Sequence, residues 1–74
     1  MTVVVEQIQE RISDELVQLR HRIAGLEGQI NHGELFNGLC ATYQNLMKRQ
    51  LVAMREYADM LEARLAAVEE FNAA

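Results

Sequence analysis

From Ile12 the apolar side chains Leu16, Leu19, Ile23, Leu26 and Ile30 return at alternating steps of four and three residues. That period puts them on one stripe of an α-helix, and such a stripe is buried by packing against another helix. Ile8 extends it by a further turn. A second set, Leu46, Met47, Leu51, Met54, Tyr57, Leu61, Leu65 and Val68, marks a second helix. Between them lies "NHGELFNG", where Asn31 and Gly33 suit a helix C-terminus and Asn37 with Gly38 suits a turn or an N-cap. The pattern predicts an all-α fold: an antiparallel helical hairpin in a single domain over 1–74, with a helix at about 3–31, a connector at about 31–38 and a helix at about 38–70. Val3 to Val5 are expected to form a short helical lead-in, and residues from about Glu69 to fray.

A chain of 74 residues is near the size at which one core is marginal. Cys40 is the only cysteine, so no disulfide can staple the chain internally. Small scaffolds without staples or metals gain stability by self-association or by very regular helix packing. The second stripe points the same way. Leu46, Ala53 and Tyr57 stand beside Met47, Met54 and Leu61, which is wider than one partner helix covers. A helical homo-oligomer is expected.

Charge narrows the partners. Eleven acids against seven Lys and Arg leave a net charge of −4, which disfavours a general grip on duplex nucleic acid. Small anions respond to local charge instead. The apolar run Val3 to Val5 stops at Glu6, too short for a signal peptide or a membrane span, so a soluble intracellular protein is expected.

Folding the chain at the connector sets position 22 level with 47, and 20 level with 49. On that register Arg20, His21 and Arg22 meet Lys48, Arg49 and Arg55 in a basic girdle, while Glu6, Glu10 and Asp14 face the level of Asp59, Glu62 and Glu69. Like charges so gathered repel unless an anion or another subunit's carboxylates lie between them.

Arg11 and Arg22 are eleven residues apart, about 20° of rotation on an ideal helix, and share a stripe with Glu15, Gln18 and Gln29. Charges flanking a seam commonly form interhelical salt bridges. The alternative is an anion pocket between protomers in which Arg22 grips a phosphate through its planar fork. Gly25 and Gly28 cost helix stability, which suggests close approach by another helix or by a flat ligand. Gln50 is placed between Leu46 and Met54 and is expected to be partly buried. Tyr57 and Tyr43, with Phe36 and Phe71, are the aromatics available for stacking on a base, although Tyr57 is expected first of all as a core tyrosine, and the methionines as core filler.

Signals for catalysis are weak. His21 and His32 are roughly 16 Å apart by helical rise, so no metal chelate forms on one helix. Cys40 is expected as a small buried hydrophobe. No phosphate loop, paired-carboxylate cleft or nucleophile triad is recognisable. No cofactor is expected, and the chain is not read as an enzyme.

"ERISDELVQLRHRIAGLEGQI" followed by "LMKRQLVAMREYADMLEAR" resembles the small all-helical phage proteins that act as anti-CBASS cyclic-nucleotide sponges. The resemblance covers about residues 8 to 65. It rests on Leu46, Gln50, Leu51, Met54, Tyr57, Leu61 and Arg64 in the second helix and on Arg11, Asp14, Glu15, Leu19, Ile23 and Leu26 in the first.

The resemblance implies a hexameric ring in the cytoplasm of the infected bacterial host. There it would capture cyclic dinucleotides such as cyclic GMP-AMP (cGAMP) between subunits, and cyclic trinucleotides at a separate site, without hydrolysis. The family's mid-helix lysine on phosphate falls on Arg22, and its basic pair before the glutamine falls on Lys48 and Arg49; Arg11, on the same stripe as Arg22, is expected as a second phosphate contact. The family's stacking tyrosine falls near Ile8, which is not aromatic, so Tyr57, Tyr43 or an arginine plane must take that role. A threonine after the mid-helix lysine is replaced in the region of Ala24 and Gly25. The competing expectation is a structural or protein-interaction bundle with no small-molecule ligand.

Overall fold

The computed structural model describes the backbone of residues 2–73 and the side chains of residues 4–70. Three helices follow one another: α1 (Thr2–His32), α2 (Glu34–Gly38) and α3 (Ala41–Ala73). The fold is all-α. Val3 to Val5 belong to α1 itself instead of forming a separate lead-in, and α3 continues past Glu69. The side chain of Phe71 lies outside the described residues.

α1 and α3 lie side by side. Ile12, Leu16, Leu19 and Ile23 of α1 and Leu51, Ala58, Leu61 and Val68 of α3 are buried in one cluster, with Val5, Leu26, Ile30, Met54 and Leu65 packed against it. Leu61 is 0% exposed and sits at its centre. The two helices run in opposite directions, since Arg20 meets Glu62 and, further up α1, Glu27 meets Arg55. Their ladder of side chains has only one layer to fill, and the molecule measures 53 × 15 × 13 Å.

The connector holds a short helix where the sequence pattern suggests turns. α1 stops at His32 because Gly33 turns extended (φ −83°, ψ 123°). The Gly33 amide still donates to the Gln29 carbonyl at 3.1 Å, and a Cβ on Gly33 would lie 2.4 Å from that oxygen. Phe36 is the buried residue of α2. Gln44, one turn into α3, donates from Nε2 to the carbonyls of Phe36 (2.7 Å) and Leu39 (3.1 Å), and so satisfies acceptors that a helix end leaves orphaned. The Lys48 ammonium stands 5.8 Å from the centre of the Phe36 ring, within cation–π range.

Because the return begins at Ala41, each α3 residue lies nearer the connector than the simple fold-back assumes. The expected register of 22 with 47 and 20 with 49 is therefore corrected: Arg20 reaches Glu62, Glu15 meets Tyr57, and Lys48 lies beside the connector. Other expectations of burial change with it. Gln50 and Cys40 are exposed, not buried. Tyr57 is 45% exposed and so is not a core tyrosine.

The accessible surface is 5856 Å², whereas a compact monomer of this mass exposes about 4,600 Å² by size scaling. Much of the excess is apolar. Tyr43, Leu46, Tyr57 and Met60 are all about half exposed or more, and they share one face of α3 with Ala53.

Leu61→Ala is expected to lower unfolding free energy by about 2–5 kcal/mol, read by urea denaturation followed by circular dichroism. In the same assay Gly33→Ala is destabilising, because backbone must move to admit the methyl group. Gly25→Ala, with nothing within 4 Å of its Cβ, is expected to stabilise the isolated chain by up to about 1 kcal/mol.

Candidate functional site

Of the seven Lys and Arg, two are neutralised within the chain. Arg20 pairs with Glu62, and Arg55 Nη2 lies 3.2 Å from Glu27 Oε2. These exposed pairs tie α1 to α3 and contribute little stability each. Among the described residues no ion pair involves Arg11, Arg22, Lys48, Arg49 or Arg64.

Helical geometry sorts these five cations. Arg11, Glu15, Gln18, Arg22 and Gly25 fall within about 80° of arc along α1. Tyr57 and Arg64, seven residues apart, lie on nearly one line along α3, whereas Lys48 is roughly 180° from Tyr57. The antiparallel register brings the two lines together. Tyr57 donates its hydroxyl to Glu15 Oε1 across the helix pair, and Ile8, Arg11 and Arg64 line one cleft near the ends of the long helices.

The predicted site residues thus divide. Ile8, Arg11, Arg22, Gly25 and Tyr57 belong to one face, along which Gly25 leaves the surface open. Lys48 and Arg49 lie towards the connector, and Lys48 is engaged over Phe36. The single basic girdle is replaced by a polar face with three arginines that form no ion pair among the described residues, and by a separate cationic pair. Arg64 was not among the expected site residues; its signal was its place at the end of the second-helix string, seven residues after Tyr57.

Electrostatics link the members of the face. Donation to Glu15 raises the Tyr57 phenol above its ordinary value of 10.0, because that bond requires the proton. Desolvation and the negative charge of Glu15 push the same way, while the positive charges of Arg64 and Arg22 oppose them. Tyr57 therefore sits within the field of both arginines.

Size shows what one chain can enclose. The Ile8–Arg11–Arg64 cleft has a volume of about 190 Å³, below the roughly 300–1,000 Å³ of small-molecule pockets. A larger groove, about 860 Å³, lies at the connector between Leu35, Leu39, Tyr43 and Met47. It is mainly apolar and its charged member is Glu34, so it is no anion site.

Residues 6–67 match the family model named Sequestin. The chain belongs to the Sequestin family. Neither the curated proteins nor the solved structures provide a match. The match runs through the whole arginine face of this Sequestin, from Ile8 to Arg64, and through the connector. Among the described residues no helix of the Sequestin chain is long and apolar enough to cross a membrane.

The raised phenol makes a direct prediction. Tyr57 retains its proton above pH 10 in the folded chain, so the stability it adds is fully present below the unfolded value and is lost as pH rises through the folded one. Absorbance titration near 295 nm should show one tyrosine ionising late. Glu15→Ala should return that step towards the ordinary range; an unchanged titration would show that Glu15 does not hold the phenol.

Proposed function

We propose that this Sequestin binds cyclic dinucleotides, cGAMP among them, and withholds them without cleaving them. It does so as a phage protein in the host cytoplasm and thereby deprives CBASS effectors of their signal. The observation that carries this is the face bearing Arg11, Arg22 and Arg64, none paired with a carboxylate among the described residues, in a chain whose family is named for sequestration. Arginine forks are suited to the two phosphodiesters of such a ligand.

The cleft of one chain is too small to enclose the ligand, so the pocket is completed by another protomer. The exposed α3 face with Tyr43, Leu46, Ala53 and Met60 supplies apolar surface for that contact, in a homo-oligomer that we take to be a hexamer. Arg22 and Arg11 hold phosphates. Tyr57, half exposed between them and Arg64, takes the stacking place that Ile8 cannot fill. Lys48 and Arg49 add positive potential from the connector side, and Gly25 lets a flat ligand lie close to α1. Cyclic trinucleotides are a second ligand class, for which the Arg11–Arg64 cleft provides the cations.

A second reading is favoured by the Arg20–Glu62 and Arg55–Glu27 pairs, which show cations of this chain serving helix packing. In it the protein is an interaction bundle, and the remaining arginines meet carboxylates of neighbouring subunits. Calorimetry with a panel of cyclic di- and trinucleotides separates the two. Binding at micromolar protein is expected, and Arg22→Glu should abolish it while leaving the elution volume of the assembly nearly unchanged. Loss of assembly in Arg22→Glu, with no heat from any ligand in the parent, would favour the bundle. Ligand recovered chemically altered after heat denaturation would overturn both.

A further inference from the structure

Leu46, Ala53 and Met60 stand seven residues apart on α3, and Tyr43, Gln50 and Tyr57 form a second row, each three residues before its counterpart. All six are exposed in the single chain. Two such rows are the heptad spacing with which helices pair side by side. Met54 and Leu61 serve the contact with α1, so the exposed rows are a second seam on the same helix. A surface hollow on this seam is lined by Ala53, Glu56, Tyr57, Asp59 and Met60. Four of the five stand at i, i+3, i+4 and i+7, the corners of the hole that receives a knob from a facing helix.

Charge identifies the occupant. Arg49 and Glu56, seven residues apart, flank the rows on the side away from α1; both are exposed, and neither forms an ion pair among the described residues. Laid antiparallel about a two-fold axis between Leu51 and Val52, two copies of α3 set Tyr43 against Met60, Leu46 against Tyr57 and Gln50 against Ala53, each contact made twice. Leu46 is then the knob that enters the hollow of the second copy. Arg49 of each copy lies beside Glu56 of the other. Slid by one heptad in either direction the rows still meet, but Glu56 faces Glu56 or Arg49 faces Arg49, like charges at close range. A parallel pair sets Arg49 beside Met54, with no acid to meet. Gln50, a polar member of an apolar seam, further restricts the register.

We infer that two copies of this chain pair through α3, antiparallel and in this register, with Arg49 and Glu56 as the contact that selects it. The surface in excess of a compact monomer's, about 1,200 Å², is sufficient for the roughly 800 Å² per partner that a stable contact buries. This inference rests on the self-association proposed above, to which it adds orientation and pairing, and it is independent of the ligand. Arg49 gains an interface role in addition to the potential it lends the anion site. Arg11 and Arg22, on α1, take no part in the α3 seam.

The test is light scattering of the full chain across a concentration series, for the parent, Arg49→Glu, Glu56→Arg and the double variant. Each single reversal is expected to weaken association by about tenfold or more, since it places two like-charged pairs in the contact, and the double variant to return within about threefold of the parent. The geometry is read separately from spin labels at Val52→Cys or Asp59→Cys in spin-diluted Cys40→Ser chains. Both positions share one row outside the seam, but the two-fold axis passes beside Val52 and leaves the Asp59 positions roughly 22 Å apart along the helices. The shortest Asp59 distance is therefore expected to exceed that of Val52 by about 10 Å, also where a charge variant fails to fold.

Equal distances at the two positions overturn the inference, as does unchanged association in both single variants or a lack of rescue in the double variant with helical content intact. Each of these leaves self-association standing through another surface. A parent that stays monomeric at tens of micromolar overturns both the inference and the proposed homo-oligomer.

Discussion

The seam between α1 and α3 is the interaction on which the rest of the structure depends. Leu61 is enclosed completely, and Ile12, Leu16, Leu19 and Ile23 are buried in the same cluster. With one layer of side chains between two helices, each buried residue spans the full thickness of the core. Sliding one helix by a turn would preserve the apolar character of the contact but misplace every branched side chain against its neighbours, which close-packed interiors resist. The packing at the seam therefore sets the register, and the register decides which polar groups meet. Arg20–Glu62, Arg55–Glu27 and Tyr57–Glu15 are its consequences, since exposed pairs of this kind are too weak to impose it.

The same register divides the positive charges by role. Two arginines bind carboxylates across the helix pair, and Lys48 rests over Phe36. Arg11, Arg22 and Arg64 remain beside the one cross-helix tyrosine–carboxylate bond. An acidic chain can thus present a local basic face, because screening at physiological salt confines each charge to roughly 8 Å and the distant acids have little influence there. Net charge describes the whole chain. Binding of a small anion depends on the few groups within reach of it.

Much of the fold was legible in the amino-acid order. The steps of four and three from Ile12 to Ile30 named the α1 contribution to the core, and Leu51, Leu61 and Val68 named most of that from α3. Ala58 was not foreseen, because a methyl group carries little weight in an apolar pattern. The register was not legible, since a repeat of evenly spaced aliphatic residues looks alike when displaced by a turn. The connector hid it further, because α2 and the Gln44 bonds to Phe36 and Leu39 take up residues that a simple fold-back counts as turn, contacts that no periodicity encodes. The arginine face followed the register. That Arg11 and Arg22 share a stripe was legible from one helix alone, whereas the places of Arg64 and Tyr57 beside Glu15 required both helices.

Thinness has a final consequence for the proposed function. The Arg11–Arg64 cleft between the two helices is too small to enclose such a ligand, and the larger groove at the connector is mainly apolar, so in the proposed function the pocket is made between molecules. The surplus apolar face of α3 and the arginine face meet at Tyr57, which belongs to both. If a second protomer covers the first and a nucleotide fills the second, assembly and capture share a boundary, and each limits what the other can expose. A half-exposed tyrosine tied to Glu15 suits such a boundary: its ring is apolar enough to lie beside a packed interface, and its hydroxyl is satisfied before any ligand arrives. The cost of ordering that ring is then met in folding, so less of the ligand's binding energy is lost when the pocket closes.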